Sequence, residues 1–525
     1  MSIVSSIISS IDGILTASSS APTFVPVTAS HTVFTPDAVP TLQVAREPKP
    51  WTQDETVLNA ADRGNPDAEV DVVVVGGGFS GMMAAHNISN AGYSVLVLEA
   101  RDRIGGRSQT QVLQSQPGAV IEMGAGYINQ KTQPTVYALC EKYGLETLAQ
   151  YDTGDNIRQG YDGQVYRESF ETEKAPESVQ KFQELVAIAA SKVDIENFEK
   201  FPEEKDVSFA DWLGQAGLWN DPDARAAAES LTSSLVGRMP QELGAHYILD
   251  YIQSGFGLVS LASEGEDGAQ SLLVKNGTSS ITEALAKDMP DGSIMLNSPV
   301  SRIDQQAPGE VHVTTKSGFR VKAKKAILAI PTNVYSQIHF TPPLPSSKRA
   351  VVSQTMPGLY AKTVLNYASP WWREAGLVGK FSSRNGPIVF SFDCCNVDME
   401  QYSLMIFISG DVASAWHRLN DLEREESVIE HLAALVGPDL ASEARNVTEV
   451  TMVEWTKEEY IWGGPTSSMG PGMLRKYGDS LRESFGDLHF GGGETAYKWR
   501  GYLEGAITSG LRTAEEVIGD LGSSD

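Results

Sequence analysis

An interleaved α/β fold, α+β overall, is what the sequence predicts, on three observations. Residues 69 to 109, EVDVVVVGGGFSGMMAAHNISNAGYSVLVLEARDRIGGRSQ, read as strand, glycine-rich turn, helix and second strand. Residues 130 to 260 then change character and read as mainly helical. From 292 to 342 the pattern returns to strands. An α/β unit that resumes after a helical excursion implies two interleaved domains rather than a simple succession.

Val70 to Val75 is the kind of β-branched run that fills a parallel strand buried on both faces. Gly76, Gly78 and Gly81 follow as G-x-G-x-x-G, then helix-compatible Met82 to Asn90, then Val95 to Leu98 ending at Glu99. Gly76 allows the tight turn, Gly78 lets the backbone approach a pyrophosphate, and Gly81 lets helix and strand pack closely. The helix N-terminus turns its partial positive charge toward the phosphates. Glu99, eighteen residues after Gly81, is placed to accept hydrogen bonds from a ribose hydroxyl. A lone G-x-G-x-x-G is a weak signal; with both strands, the helix and the terminal acid in register it specifies a Rossmann-type dinucleotide site. Arg103-Ile-Gly-Gly-Arg107 and Gly118 to Gly126, GAVIEMGAG, add two glycine-rich backbone passages and read as more of that cradle.

Composition limits the alternatives. A net charge of -26 over 525 residues argues against nucleic acid and against an anionic membrane surface, and reads first as solubility, with a cationic substrate as the alternative. Three cysteines, Cys140 and the adjacent Cys394 and Cys395, make no disulfide framework and favour a reducing compartment. No apolar run reaches the eighteen residues of a membrane span. The eight histidines are scattered, with no H-x-x-x-H or C-x-x-C, so no metal is expected. Residues 1 to 68, rich in Ser, Thr, Ala and Pro, read as an extended arm on the surface or on a partner subunit, with disorder as the alternative. Their first basic residue is Arg46, so the charged start of a signal peptide is missing, although Met1 to Leu15 is apolar enough for a weak one. A cytoplasmic location is expected, with secretion as the alternative.

Further along, Leu243, Tyr247, Ile248, Tyr251 and Ile252 recur with helical period as one buried face, core first and cavity wall second. Val311-His-Val-Thr-Thr and Arg320-Val-Lys alternate, and Ala326 to Ile330 is a short buried run. Helices are expected near Leu422 to Leu435 and from Gly501 to Leu521. The acidic run Glu264-Gly-Glu-Asp267 reads as a solvated loop, or else as an entrance that attracts an ammonium.

The segments DVVVVGGGFSGMMAAHNISNAG, LEARDRIGGRSQT and GGGETAYKWRGYLEGAITSGLRTAEEV resemble the flavin-dependent amine oxidases, the family of monoamine and polyamine oxidases. LNSPVSRID, AILAIPTNVYSQIHFTPPLP and MPGLYAKTVLNYASPWW are similar to that family too, so the resemblance runs from about residue 69 to 521. It implies FAD. Gly76, Gly78, Ser80, Gly81, Glu99, Ala100, Arg101, Gly106 and Arg107 would hold its adenosine and pyrophosphate. Gly124 and Gly493 would add backbone to the cradle, and Val300 would contribute beside the adenine through its backbone. Glu494 would lie near the ribityl chain and phosphates, and Leu503 alongside the isoalloxazine ring. Lys362, Tyr502 and Trp499 are the catalytic candidates: Lys362 matches the lysine that holds a water at flavin N5, and Tyr502 matches one tyrosine of an aromatic cage. The implied chemistry is hydride transfer from the α-carbon of a neutral amine to N5. Imine hydrolysis and reoxidation by dioxygen to hydrogen peroxide follow.

Two departures from the monoamine oxidase pattern bear on the site. Gly464, in Trp462-Gly-Gly-Pro-Thr, stands where a cysteine tethers the flavin in some members, so the FAD should be non-covalent. Pro465 stands where the second cage tyrosine would be, leaving a wider half-cage. With Lys498-Trp-Arg500 and Ser369-Pro-Trp-Trp-Arg373, this resembles the fungal aminopolyol (fumonisin) amine oxidases, whose substrate is a primary amine on a long hydroxylated chain. Gln270, Pro465, Trp455 and Arg500 are candidates to line the substrate site, with Lys498 and Arg500 either meeting substrate carboxylates or forming a solvated basic pair. A polyamine or L-amino-acid oxidase is the second enzyme reading, and a Rab-escort-like binding protein the non-catalytic one. By resemblance an FAD-binding domain takes about 69–146, 275–351 and 458–521, and a substrate domain 147–274 and 352–457. The partners expected are a small-molecule amine and dioxygen. A homodimer is only the commonest outcome for the oligomeric state, which sequence leaves open.

Overall fold

Val72 to Val75 lie inside a nine-stranded sheet, and all four are buried. The computed structural model describes residues 43–44, 57–59, 67–160, 163–168 and 175–523. Strand Asp67–Val75 pairs in parallel with Val95–Leu98 on one side. On the other it pairs with Arg320–Leu328, from Asp67 opposite Arg320 to Val75 opposite Leu328. Ile294–Leu296 and Leu488–Phe490 extend the parallel part. Strands covered on both faces need apolar side chains at successive positions, which is why four valines stand in a row.

Helix Phe79–Asn90 packs on this sheet, beginning three residues before Met82 because Gly78 already serves as its N-cap. The C-terminal helix Leu503–Gly522 crosses it so closely that a side-chain carbon on Gly510 would stand 2.3 Å from the Ser80 carbonyl. The two segments read separately around 320 and 326 are one strand. Its first half alternates exposed and buried, while Ala326 to Leu328 are buried throughout. The alternating half pairs antiparallel with Glu310–Thr315, and the buried half lies between two parallel neighbours.

An eight-stranded sheet forms the second layer. Its order is Gln43–Val44, Glu449–Val453, Tyr360–Tyr367, Tyr402–Ser409, Phe390–Asp393, Leu377–Ser383, Asp155–Gln159 and Val165–Glu168. Side chains alternate across it. Ala361, Leu365, Leu404, Ile406 and Ile408 pack toward Val428 and Leu432 of helix Asp421–Val436. Tyr360, Val364, Met405 and Phe407 point the other way, toward Trp455 and Tyr127. The last two strands fall where the sequence reads as mainly helical. Their signal is masked because Arg158 is buried against Glu168 and interrupts any apolar alternation.

A helical layer completes the chain, with Glu177–Ala190, Phe209–Gln215, Pro222–Val236 and Ala245–Ser254 packed around Phe182, Phe209, Tyr247 and Ile248. Most of the expected N-terminal arm lies outside the described residues. Two short pieces of it pair with the chain's own sheets, Gln43–Val44 beside Glu449–Val453 and Val57–Asn59 beside Ile294–Leu296.

Candidate active site

The strand ends of the first sheet, one face of the second and the helical layer enclose a cavity of about 400 Å³. That volume suits a bound organic molecule. At one end the glycine-rich turn supplies Gly76, Gly78 and Ser80 to its wall. Gly76 has φ +103°, and an added side-chain carbon there would meet the Ala329 carbonyl oxygen at 2.7 Å. Gly81 does not line the cavity; a side-chain carbon on it would stand 1.9 Å from the Gly76 carbonyl oxygen, so its place is in helix packing. Ser80 Oγ accepts the Gly492 N–H at 2.8 Å, tying the turn to the C-terminal glycine run.

Glu99, Ala100, Arg101 and Val300 form the next part of the wall. Each Glu99 oxygen accepts a backbone N–H, from Gly77 at 2.6 Å and from Arg101 at 2.9 Å. Burial pushes the Glu99 carboxyl above its usual range, with those two N–H bonds acting against it. Arg101 pairs with Glu458 through Nη2, while its buried Nη1 has no partner. Gly106, Arg107, Gly124, Gly493 and Leu503 continue the lining. Glu494 stands behind it, 3% exposed, held by Arg107 at 2.6 and 3.0 Å.

These residues fit a dinucleotide. Helix Phe79–Asn90 has no side-chain cap and no acid in its first turn, and its N-terminal residues open into the cavity. Uncapped N–H groups and the unpartnered Arg101 Nη1 are the donors a pyrophosphate requires.

At the other end the walls become aromatic. Lys362, 2% exposed, donates from Nζ to the Gly124 carbonyl at 2.7 Å and lies 4.9 Å from the Phe407 ring centroid. Burial draws its ammonium down from 10.5 to about 8, with Glu122 pulling the other way. Tyr502 and Tyr251 both line the cavity, their ring centroids 6.2 Å apart. Trp455, Gly464, Pro465 and Gln270 line it too. Trp455 donates to the Met123 carbonyl at 2.8 Å. Gln270 donates from Nε2 to the Leu261 carbonyl, while its buried Oε1 has no partner.

At this end, two candidates are not brought to the cavity. Trp499 donates from its indole to the Thr132 carbonyl at 2.6 Å and packs edge-on against Tyr502 at 5.1 Å, supporting the tyrosine from behind. Arg500 is 1% exposed and faces the wholly buried Asp250 at 2.8 Å, so it is turned away from any substrate carboxylate. Burial pushes the Asp250 carboxyl up to about 6, with Arg500 and Arg482 acting against it. Lys498 is exposed.

The structure adds residues that the sequence did not single out. Phe390, Phe392, Phe407 and Tyr127 form an aromatic wall, with Phe390 and Phe407 stacked at 4.5 Å and Tyr127 edge-on to Phe392 at 5.6 Å. Phe390-x-Phe392 and Met405-x-Phe407 in strand alternation were the available signal. Glu264 departs from the rest of its acidic loop. Glu266 and Asp267 are exposed beside Lys131, whereas Glu264 turns inward and pairs with Lys380 in the cavity wall.

A family described as flavin containing amine oxidoreductase matches residues 79–518. The chain belongs to that family. A flavin-containing amine oxidase of Oncorhynchus mykiss is 30% identical over 461 residues, covering 86% of each chain. An L-amino acid dehydrogenase of Synechocystis is 29% identical, covering 87% of this chain and 96% of that one. The solved structure of wild-type putrescine oxidase bound to putrescine superposes with a TM-score of 0.79 at 27% identity, covering 86% of this chain and 100% of that one. This flavin-containing amine oxidase is thus an oxidoreductase whose family implies FAD, a small-molecule amine and dioxygen. Among the described residues no helix is long and apolar enough to cross a membrane.

Proposed function

We propose that this amine oxidase deaminates a primary amine carried on a long hydroxylated aliphatic chain, an aminopolyol of the fumonisin type, using FAD held without a covalent bond. The observation that carries the substrate class is the cavity's makeup. Tyr502 and the phenylalanine wall stand at the Lys362 end, Pro465 takes the place of a second cage tyrosine, and polar Gln270, Glu264 and Lys380 lie in the same wall. A wide half-cage with polar groups beyond it suits a long hydroxylated chain better than a small arylalkylamine.

The segments about 69–146, 275–351 and 458–521 form the proposed FAD-binding domain. The N-terminus of helix Phe79–Asn90 and Arg101 would hold the pyrophosphate there, and Glu99 would receive a ribose hydroxyl. FAD bound there would supply the two-electron oxidation of the amine α-carbon, with dioxygen as the final acceptor. The chain's own residues prepare the amine. The Phe390, Phe407 and Tyr502 rings keep water out and favour the neutral, reactive form of the substrate nitrogen. Lys362 uses one N–H on the Gly124 carbonyl and keeps others to hold a water at the reacting centre.

An L-amino acid needs an arginine clamp. Both cavity-lining arginines, Arg101 and Arg107, are engaged with carboxylates at the dinucleotide end, and Arg500 faces Asp250. That weighs against the amino-acid reading. The test is hydrogen peroxide release over benzylamine, short and long alkylamines, spermine, amino acids, and intact and hydrolysed fumonisin. Activity that rises with chain length and persists on the aminopolyols is expected. Activity confined to spermine or to amino acids would overturn the aminopolyol reading.

A further inference from the structure

Lys362 and Lys380 lie on two strands of the eight-stranded sheet with two others between them. Lys362 is opposite Phe407, Phe407 is opposite Phe390, and Phe390 is opposite Ser382 on the strand of Lys380. Three strand steps at about 4.8 Å each put roughly 14 Å between the two lysine strands. The phenylalanine wall fills that interval. Lys362 Nζ stands 4.9 Å from the Phe407 ring, Phe407 is 6.2 Å from Phe392, and Lys380 Nζ is 6.0 Å from Phe392. Both lysines line the one cavity.

The two ends differ in charge. Lys362 meets a backbone carbonyl. Lys380 meets the Glu264 carboxylate, and the two side chains are only 10% and 8% exposed. A buried ion pair seldom repays its desolvation in stability, so its place in a ligand cavity calls for another explanation. As a couple it is neutral, yet it sets a donor and an acceptor side by side. Gln270, whose backbone N–H donates to the carbonyl of Ser263 next to Glu264, lines the same cavity and carries a side-chain Oε1 with no partner.

We infer that the Glu264–Lys380 couple reads the far end of the substrate, accepting a neutral hydroxylated chain and rejecting a second ammonium. A hydroxyl donates and accepts, so it bonds to either member without disturbing the pair. A second ammonium finds Glu264 already neutralised and Lys380 repelling it, so a diamine is excluded by charge rather than by size. The inference rests on the amine-oxidase site proposed above and names the residues that set its substrate class.

The experiment compares kcat/KM for three amines of one chain length, differing only at the distal end: dodecylamine, ω-aminododecanol and α,ω-diaminododecane. In the wild-type enzyme the amino alcohol is expected to exceed the diamine by at least about ten-fold. Lys380→Met, which leaves Glu264 as an uncompensated anion, is expected to shrink or invert that ratio. Glu264→Gln, which leaves the cation, is expected to widen it. Ratios within each variant cancel any general loss of activity, and the wild-type ranking stands as a test even if neither variant folds. A wild-type preference for the diamine, or ratios unmoved in active variants, overturns the inference. Failure of the enzyme on fumonisin with the end-group ranking intact would sink the aminopolyol reading alone.

Discussion

Arg107 grips Glu494 with two parallel N–H···O bonds, 2.6 and 3.0 Å long, joining residues 387 positions apart in the chain. The same guanidinium donates to the Pro465 carbonyl at 2.7 Å. One side chain thus ties the Arg103-Ile-Gly-Gly-Arg107 passage to the GGGET run and to the half-cage proline. Arg107→Leu leaves Glu494, 3% exposed, as a buried anion without its cation. Loss of about 3 kcal/mol is expected, together with reduced flavin content. Denaturant unfolding and the flavin absorbance of the purified protein measure the two, and full flavin with unchanged stability would refute the tie.

Lys362 gives a pH signature. Below pH 8 its ammonium is charged in both the folded and the unfolded chain, and the full cost of burying it is present. Between pH 8 and the unfolded value near 10.5 the folded chain sheds the proton first, so the unfolded chain binds more protons and stability rises with pH. Lys362→Met removes that dependence. The stability of the variant relative to wild type should be greatest below pH 8 and fall by up to about 3 kcal/mol toward pH 10.5. Turnover of the variant should drop by about a hundred-fold or more if the lysine positions a proton-bearing water. Paired unfolding curves across that pH range check the first expectation, and stopped-flow flavin reduction and reoxidation check the second.

Much of this was legible in the sequence because dinucleotide binding imposes local rules. The valines at 72 to 75, the bare helix start after Gly78 and the acid at Glu99 all fall within one continuous strand-turn-helix-strand segment. The aromatic wall was not legible. Phe407 meets Lys362, and Phe390 and Phe392 meet Phe407, only through the pairing of three strands, and periodicity cannot give strand order. Glu264 was hidden for a related reason. Its exposed neighbours Glu266 and Asp267 share its composition, and only the arrival of Lys380, 116 residues later, turns it inward.

Arg500 shows the converse, a basic residue whose sequence neighbours suggested a substrate contact. Its guanidinium is buried against Asp250, itself 0% exposed, so removing one partner strands the other. Arg500→Met alone is expected to destabilise the fold by about 3 to 5 kcal/mol. Adding Asp250→Leu should recover much of that loss, because a buried pair exchanged for apolar side chains is often neutral. The ratio of kcat/KM for intact to hydrolysed fumonisin should not move in the double variant. A selective loss on the carboxylated substrate would instead place Arg500 at the substrate.

The flavin linkage can be read directly. Covalent attachment through cysteine or histidine needs such a side chain in the cavity wall, and Gly464, at the position that the family resemblance gives to a tethering cysteine, lies in that wall. None of Cys140, Cys394 and Cys395 lines the cavity, and none of the described histidines does. Burial also pushes all three thiols above their usual range, Cys140 to about 11, which keeps the nucleophilic thiolate scarce at neutral pH. Acid precipitation should therefore leave a white pellet and a yellow supernatant whose chromophore has the mass of free FAD. The stripped protein, refolded or dialysed with FAD, should regain peroxide production. A pellet that stays yellow after washing would mean a covalent bond from another side chain, and tryptic mass mapping of the pellet would name it.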